Sequence, residues 1–293
     1  MELRGIYPYL VSPVDGGRVR EGVLRALIDH LIEAGVHGLC PLGSTGEIMY
    51  LEPTTREEIV RITIDQAASR VPVIPGIAAF SSDDAARQAA RMAELGASGI
   101  VAIQQVYFPV PTAGVVEYFT AVGTATDLPV VMYTNPRLGA GIPLEAFPEL
   151  AAVPTLRYLK DAAGVTGRLV SIQERVGDRI LHFAASAHVP ALVFEIGGVG
   201  WMAGPACLAP RAAVELWRAH EEGRREDLWR LQRALWPLNE LFTTHSLAAF
   251  IKLALTRQGF DVGAPLRPQV PLPSSVVHEF DRAQARIAEA LGA

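Results

Sequence analysis

Lysine is nearly missing from this chain: Lys160 and Lys252 are the only two, against 24 arginines. Where surface charge is written as arginine, a surviving lysine points to chemistry that a guanidinium cannot do. An ammonium can lose its proton in an apolar pocket and attack a carbonyl. Cysteine is equally sparse. Cys40 and Cys207 lie far apart in apolar, Gly/Pro-punctuated segments, which excludes a disulfide framework. No N-terminal stretch has the zones of a signal peptide, so a reduced, cytoplasmic protein is expected. No apolar run approaches the ~20 residues of a membrane span. The net charge is −5 with no basic run, which argues against nucleic acid or an anionic membrane as partner. The histidines show no zinc-type spacing, and no metal or cofactor is expected.

Half of the 293 residues are apolar, enough for a sizeable core. Short apolar or β-branched runs alternate with helix-period segments, the pattern of βα units around a parallel sheet. The expected strands are Gly5–Val11, Gly38–Leu42, Val73–Ile77, Gly99–Ile103, Val130–Tyr133, Thr155–Lys160, Ile180–Ala184 and Gly197–Trp201. Among the helices, Glu21–Glu33 puts Leu24, Leu27, Ile28, Leu31 and Ile32 on one face. Eight strands with uninterrupted crossovers, and no Gly-x-Gly-x-x-Gly turn, favour an α/β fold of the (β/α)8 TIM-barrel type over an open sheet. After about Pro210 the pattern is helical, giving a barrel over 1–210 and a C-terminal helical extension over 211–293. The carboxylate pairs Glu57-Glu58 and Asp83-Asp84 are expected in helix first turns, opposite the dipole.

In such a barrel the chemistry lies at the C-terminal ends of the strands. Strand six places Leu156, Tyr158 and Lys160 on one face, with Lys160 nearest the mouth, where an apolar setting would lower its pKa from ~10.4 toward ~7 to 8. Strand five ends in Tyr133, either a proton shuttle at the mouth or a core-edge tyrosine. Strand two runs into Gly43-Ser44-Thr45-Gly46-Glu47, whose backbone N–H groups and hydroxyls could cradle a carboxylate; an ordinary capped turn is the plainer alternative.

Taken together, Gly43-Ser44-Thr45-Gly46-Glu47, Tyr133 with Asn135-Pro136, and Leu159-Lys160-Asp161 resemble the dihydrodipicolinate synthase and N-acetylneuraminate lyase family of class I aldolases. The resemblance covers most of the chain. It implies a homo-oligomer, a tetramer or dimer, that joins or splits pyruvate and an aldehyde, or dehydrates a sugar acid, through a lysine Schiff base. By motif Lys160 forms the imine, Tyr133 relays protons, and Ser44 and Thr45 hold the 2-oxo acid carboxylate beside Gly43. Tyr107 resembles the family tyrosine that reaches a neighbouring subunit's site.

The chain also departs from the family. The loop Pro136-Arg137-Leu138-Gly139 is one residue shorter, with Arg137 the candidate for a second carboxylate. After strand seven Gly-x-Asp is replaced by Ala184-Ala185-Ser186-Ala187-His188, and after strand eight Ala203 and Cys207 stand for Ser and Asn. With Trp201 and Met202 beside them, these alanines, Ala185 included, suggest an apolar acceptor wall. Lysine-pathway synthase, sialic-acid lyase, sugar-acid dehydratase and hydratase-aldolase all stay open, as does a barrel that binds 2-oxo acids without turnover. A phosphate-binding barrel using Gly197 to Gly204 is disfavoured by the bulk of Trp201 and Met202.

Overall fold

The computed structural model describes residues 2–135 and 141–292. Strand β1 (Gly5–Pro8) leads into a small antiparallel hairpin of β2 (Val14–Asp15) and β3 (Arg18–Val19), followed by α1 (Glu21–Glu33) and α2 (Pro53–Ala67). The alternation continues as β4 (Gly76–Ala79), α3 (Ser82–Glu94), β5 (Ile100–Gln104), α4 (Thr112–Thr124) and β6 (Val130–Thr134). Next come α5 (Phe147–Leu150), β7 (Tyr158–Asp161), α6 (Thr166–Val176), β8 (Leu181–Ala184), α7 (Pro190–Glu195) and β9 (Gly200–Ala203). Five helices close the chain: α8 (Pro205–Leu208), α9 (Pro210–Glu221), α10 (Arg225–Thr244), α11 (Leu247–Arg257) and α12 (Ser275–Leu291). Among the described residues, no helix is long and apolar enough to cross a membrane.

Seven strands form one parallel sheet in the order β1-β9-β8-β7-β6-β5-β4. The expected strand Gly38–Leu42 contributes only isolated bridges, Cys40 to Tyr9 on one side and Leu39 to Val73 on the other. Those bridges join the two sheet edges: Cys40 N–H donates to Pro8 O at 3.0 Å and Ile74 N–H donates to Leu39 O at 2.8 Å. The strand is this short because Pro41 has no N–H to give and Leu42 turns to φ +62°. The result is a closed TIM barrel followed by helices.

Period two sends every second strand residue inward. Tyr7, Tyr158 and Phe183 meet inside the barrel, with Phe183 5.6 Å from Tyr7 and 5.7 Å from Tyr158 between ring centroids. Lys160 stands one inward position above Tyr158, so its floor is aromatic and closed to water. The outer face is covered by the helices, whose buried stripes include Leu24, Leu27, Ile28 and Leu31 of α1.

Helix ends follow local rules with one exception. Asp83 and Asp84 fill the first turn of α3, where the Ser81 hydroxyl accepts from Asp84 N–H at 3.3 Å. Glu57 and Glu58 do not sit in a first turn, contrary to the sequence expectation, because α2 starts at Pro53, a residue suited to N1. Glu57 is used instead to hold α3, pairing with Arg91 at 2.8 Å.

The second lysine has a structural task. Lys252, on α11, is buried with its Nζ 2.6 Å from Glu47 Oε2 and donating to Ala264 O at 3.0 Å. The other Glu47 oxygen accepts from Leu266 N–H at 2.6 Å. One buried ion pair therefore ties the Gly43–Glu47 turn to α11 and to the proline-rich connector, residues 264–273, that leads to α12. Replacing one partner of such a pair strands the other charge, at a typical cost of ~3 to 5 kcal/mol. Lys252→Ala should lower the unfolding free energy obtained from urea titration by that much, with a lower midpoint at unchanged slope, and Glu47→Gln in the same chain should recover part of the loss. An unchanged midpoint in the single variant would show that the pair contributes no net stability.

Candidate active site at the mouth of the barrel

Strand register brings the two principal side chains together. Tyr133 on β6 is the sheet partner of Lys160 on β7, and both point inward at the C-terminal rim. The turn after Lys160 is fixed by its neighbour: Asp161 accepts from Ala163 N–H at 2.7 Å and pairs with Arg168 at 2.6 Å. Asp161 is thus held on the outer face, and alternation leaves Lys160 on the inner one.

Lys160 is only 2 % exposed. Burial drives its amine below the ordinary lysine range, while the hydrogen bond and charge interaction with Tyr133 act the other way. Its Nζ lies 3.9 Å from the Tyr133 ring centroid and 4.2 Å from that of Tyr9. Among the described residues no carboxylate lies within ion-pair distance of it, in contrast to Lys252. The Tyr133 hydroxyl is 3.3 Å from Ser44 Oγ and accepts from Asn135 Nδ2 at 3.1 Å, so a phenol–hydroxyl chain runs from the amine toward the Gly43–Glu47 turn.

That turn is a short 3-10 helix over Ser44–Gly46, ending at Glu47 in the left-handed region. Ser44 and Thr45 face a cavity of about 140 Å³ that also exposes Lys160, Tyr133, Tyr9 and Asn135. Gly43 does not line it. Its place is to let the Tyr9 ring approach, since a Cβ on Gly43 would stand 2.9 Å from Tyr9 Cδ2.

The remaining wall keeps Ala187 from the sequence expectation and differs in its other members. Ala162 and Ala163 follow β7, and Ser186 and Ala187 follow β8. Ala185 is fully buried and outside the cavity, because the chain turns back after β8 so that Ala185 N–H donates to His188 Nδ1 at 3.2 Å. Ala184, Trp201, Met202 and Ala203 are likewise buried behind the wall, and Cys207 lies inside α8. Asn239 on α10 braces this loop by donating to Ser186 O at 3.1 Å and His188 O at 3.3 Å. His188 and His182 are pushed down by burial, His182 to about 4, so both are neutral near pH 7.

The C-terminal helices supply the roof, which the sequence reading missed. Phe242, Thr243 and Leu247 line the cavity from the α10–α11 junction. Gly204 admits the Phe242 ring, because a Cβ there would lie 2.5 Å from Phe242 Cε1. Of the other expected site residues, Tyr107 is 82 % exposed, meets the Phe108 ring edge-on at 4.7 Å between centroids, and does not line this cavity. Arg137 lies outside the described residues.

A larger cleft of about 720 Å³ runs between α11 and the connector, lined by Arg20, Lys252, Pro265 and Leu272. Its amine is not free, since the Lys252 ammonium is already engaged by Glu47. Among the described residues no cluster of three or more His, Cys, Asp or Glu side chains could hold a metal ion. The chemistry of the mouth is that of a buried amine beside a phenol and two hydroxyls, suited to condensing with a carbonyl.

Relatives carry the same architecture. An uncharacterised DapA-like lyase of Halobacterium salinarum is 31% identical over 269 residues, covering 90% of this chain and 87% of that protein. A 4-hydroxy-tetrahydrodipicolinate synthase of Methanospirillum hungatei is 30% identical over 268 residues, covering 90% of this chain and 91% of that one. The crystal structure of a putative dihydrodipicolinate synthetase from Pseudomonas aeruginosa superposes with a TM-score of 0.90 at 26% identity, covering 99% of this chain and 100% of that one. The family model described as the dihydrodipicolinate synthetase family matches residues 2–286. This chain therefore belongs to the dihydrodipicolinate synthetase family, whose members are Schiff-base lyases that use pyruvate.

Proposed function

We propose that this chain is a lyase in which Lys160 forms the imine with pyruvate and an aldehyde of low polarity is the second substrate. The observation that carries the imine role is the Lys160 amine, buried without a carboxylate partner among the described residues and lying 3.9 Å from the centre of the Tyr133 ring. Ser44 and Thr45, on the same cavity, hold the 2-oxo acid carboxylate through their hydroxyls and the turn's N–H groups.

The neutral amine attacks C2 of pyruvate, forming the C–N bond as the carbonyl oxygen takes a proton. The carbinolamine accepts a second proton on that oxygen and loses water, leaving a cationic imine. That cation draws electrons from C3, whose proton passes to the Tyr133–Ser44 relay to give the enamine, and the enamine carbon attacks the aldehyde carbon. The resulting alkoxide takes a proton relayed through Tyr133, and water releases the product from Lys160. Tyr133 is in contact with both the amine and Ser44, so one phenol serves the dehydration and the acceptor step.

The apolar acceptor rests on Ala162, Ala163, Ala187, Phe242 and Leu247 around the mouth, in place of the buried alanines and Trp201 that the sequence suggested. A second reading, 4-hydroxy-tetrahydrodipicolinate synthesis, is favoured by the name of the Methanospirillum relative and needs a carboxylate grip such as Arg137. Tyr107 and Phe108, exposed by 82 % and 72 %, support a homo-oligomer in which Tyr107 reaches a neighbouring site. We take the protein to be cytoplasmic.

Borohydride reduction with pyruvate, followed by peptide mass spectrometry, should put the adduct on Lys160. An adduct on Lys252, or none, would overturn the assignment, and Lys160→Arg should be as inactive as Lys160→Ala. Tyr133→Phe should fold and bind pyruvate but turn over ~10² to 10⁴ more slowly; a near-normal rate would move the proton relay elsewhere. Comparing kcat/KM for pyruvate with an aromatic aldehyde, aspartate semialdehyde and N-acetylmannosamine decides the acceptor. Preference for either polar aldehyde rejects the apolar reading.

A further inference from the structure

The second ring beside the Lys160 amine belongs to a residue outside every motif that the sequence offers. Tyr9 follows β1, and the same alternation that turns Tyr7 inward turns Tyr9 inward one layer higher, at the level of Lys160. The Tyr9 and Tyr133 centroids are 6.3 Å apart with their planes at 62°, so the amine sits in an open V between two π faces. Gly43 seats the Tyr9 ring, because any side chain there would displace it. The two phenols differ at their tips. Tyr133 OH is engaged by Ser44 and Asn135, whereas Tyr9 OH is buried and has no hydrogen-bond partner among the described residues. A tyrosine retained for its hydroxyl would be expected to have that hydroxyl engaged; here the ring face is what meets the reacting nitrogen.

We propose that Tyr9 is a further catalytic residue, whose π face stabilises positive charge on the Lys160 nitrogen as the amine becomes an iminium. This rests on the imine reading above. In the step concerned the nitrogen gives one proton toward the departing water and an acid gives the other. The C–O bond breaks and the nitrogen keeps one hydrogen and a full positive charge. Charge is thereby created where water has been excluded, and something fixed must meet it. The other groups facing the amine offer little. Cys40 is a buried thiol held protonated by desolvation, and His188 is neutral. The two rings remain, and a desolvated cation over a ring face is the setting in which a ring quadrupole acts most strongly.

The two tyrosines therefore divide the work. Tyr133 offers both a face and a connected hydroxyl, and moves protons; Tyr9 offers a face alone. The ring acts on the resting ammonium as well as on the iminium. Losing it should therefore free the amine at lower pH and still slow its condensation. A merely structural role would not produce that opposition.

The test is the rate of borohydride trapping with pyruvate across pH, for the full-length protein with Tyr9 unchanged, Tyr9→Phe and Tyr9→Leu. Phenylalanines carrying one, two and three ring fluorines at position 9 complete the set, since they weaken the quadrupole while nearly preserving shape. Tyr9→Leu should trap about tenfold more slowly or worse, with its acid limb displaced to lower pH. Tyr9→Phe should lose far less, and the fluorinated series should decline stepwise, which also covers the case of a Leu variant that does not fold. An equal loss in Phe and Leu would show that the hydroxyl matters, and a flat fluorine series or an unmoved acid limb would equally overturn the proposal. If the unchanged protein traps nothing on Lys160, the imine reading falls and this role with it. Normal trapping with a flat series removes only the role of Tyr9.

Discussion

A primary amine taken out of water must be given a counter-charge, or be held where its charge is easily lost. The two lysines of this chain illustrate the two solutions. Lys252 meets a carboxylate at 2.6 Å, and its charge becomes part of the structure. Lys160 meets two aromatic faces and a phenol, which moderate the cation without fixing it. Desolvation then lowers the cost of deprotonation and leaves a nucleophile. The rest of the mouth follows from this constraint: an aromatic floor below, an outward Asp161, neutral histidines behind, and a roof that keeps water from the amine.

The buried Glu47–Lys252 pair makes the C-terminal helices part of the site rather than an appendage. Glu47 ends the turn that carries Ser44 and Thr45, and its carboxylate is held by α11 and by the connector at Leu266. The same α10–α11 junction brings Phe242 and Leu247 over the cavity. The Ser44–Thr45 turn and the roof are thus set by one group of contacts. A shift of α11 would move both together, whereas the position of Lys160 is set by the register of β7 with β6 and β8.

What could be read from the sequence follows from how far each signal reaches along the chain. The helix Glu21–Glu33 was legible to the residue because its apolar stripe is local. The pairing of Lys160 with Tyr133 was legible from strand parity on adjacent strands, whereas Ser44, which follows a segment elsewhere in the barrel, was joined to them by the family resemblance. Strand two was overestimated, because Pro41 removes the donor that would have extended it. Tyr9 was missed although the same parity rule applies to it, because no motif marks a tyrosine that contributes only a ring. Phe242 and Leu247 were invisible for a different reason: they reach the cavity through the packing of helices far away in sequence, on a glycine at 204 whose purpose appears only once the ring lies on it. Ala185 gave way to Ser186 and Ala187 because one hydrogen bond to His188 turns the loop over.

Cavity size bears on the order of events. At about 140 Å³ the enclosed space is that of a pocket that holds one benzene-sized molecule, for which ~150 Å³ is the reference. On the proposed reading, pyruvate bonded to Lys160 with its carboxylate toward Ser44 and Thr45 would take the greater part of it. On the proposed chemistry the acceptor cannot share that space from the start, and it meets the enamine at the outer part of the mouth. There the wall is Ala162, Ala163, Ala187 and Leu247, relieved by the hydroxyls of Ser186 and Thr243. An apolar wall separates ligands that differ by one methylene by only ~1 to 3 kcal/mol. On the proposed reading, selection is steeper at the donor, where a carboxylate must find the turn, than at the acceptor, where the wall offers shape and the two hydroxyls of Ser186 and Thr243.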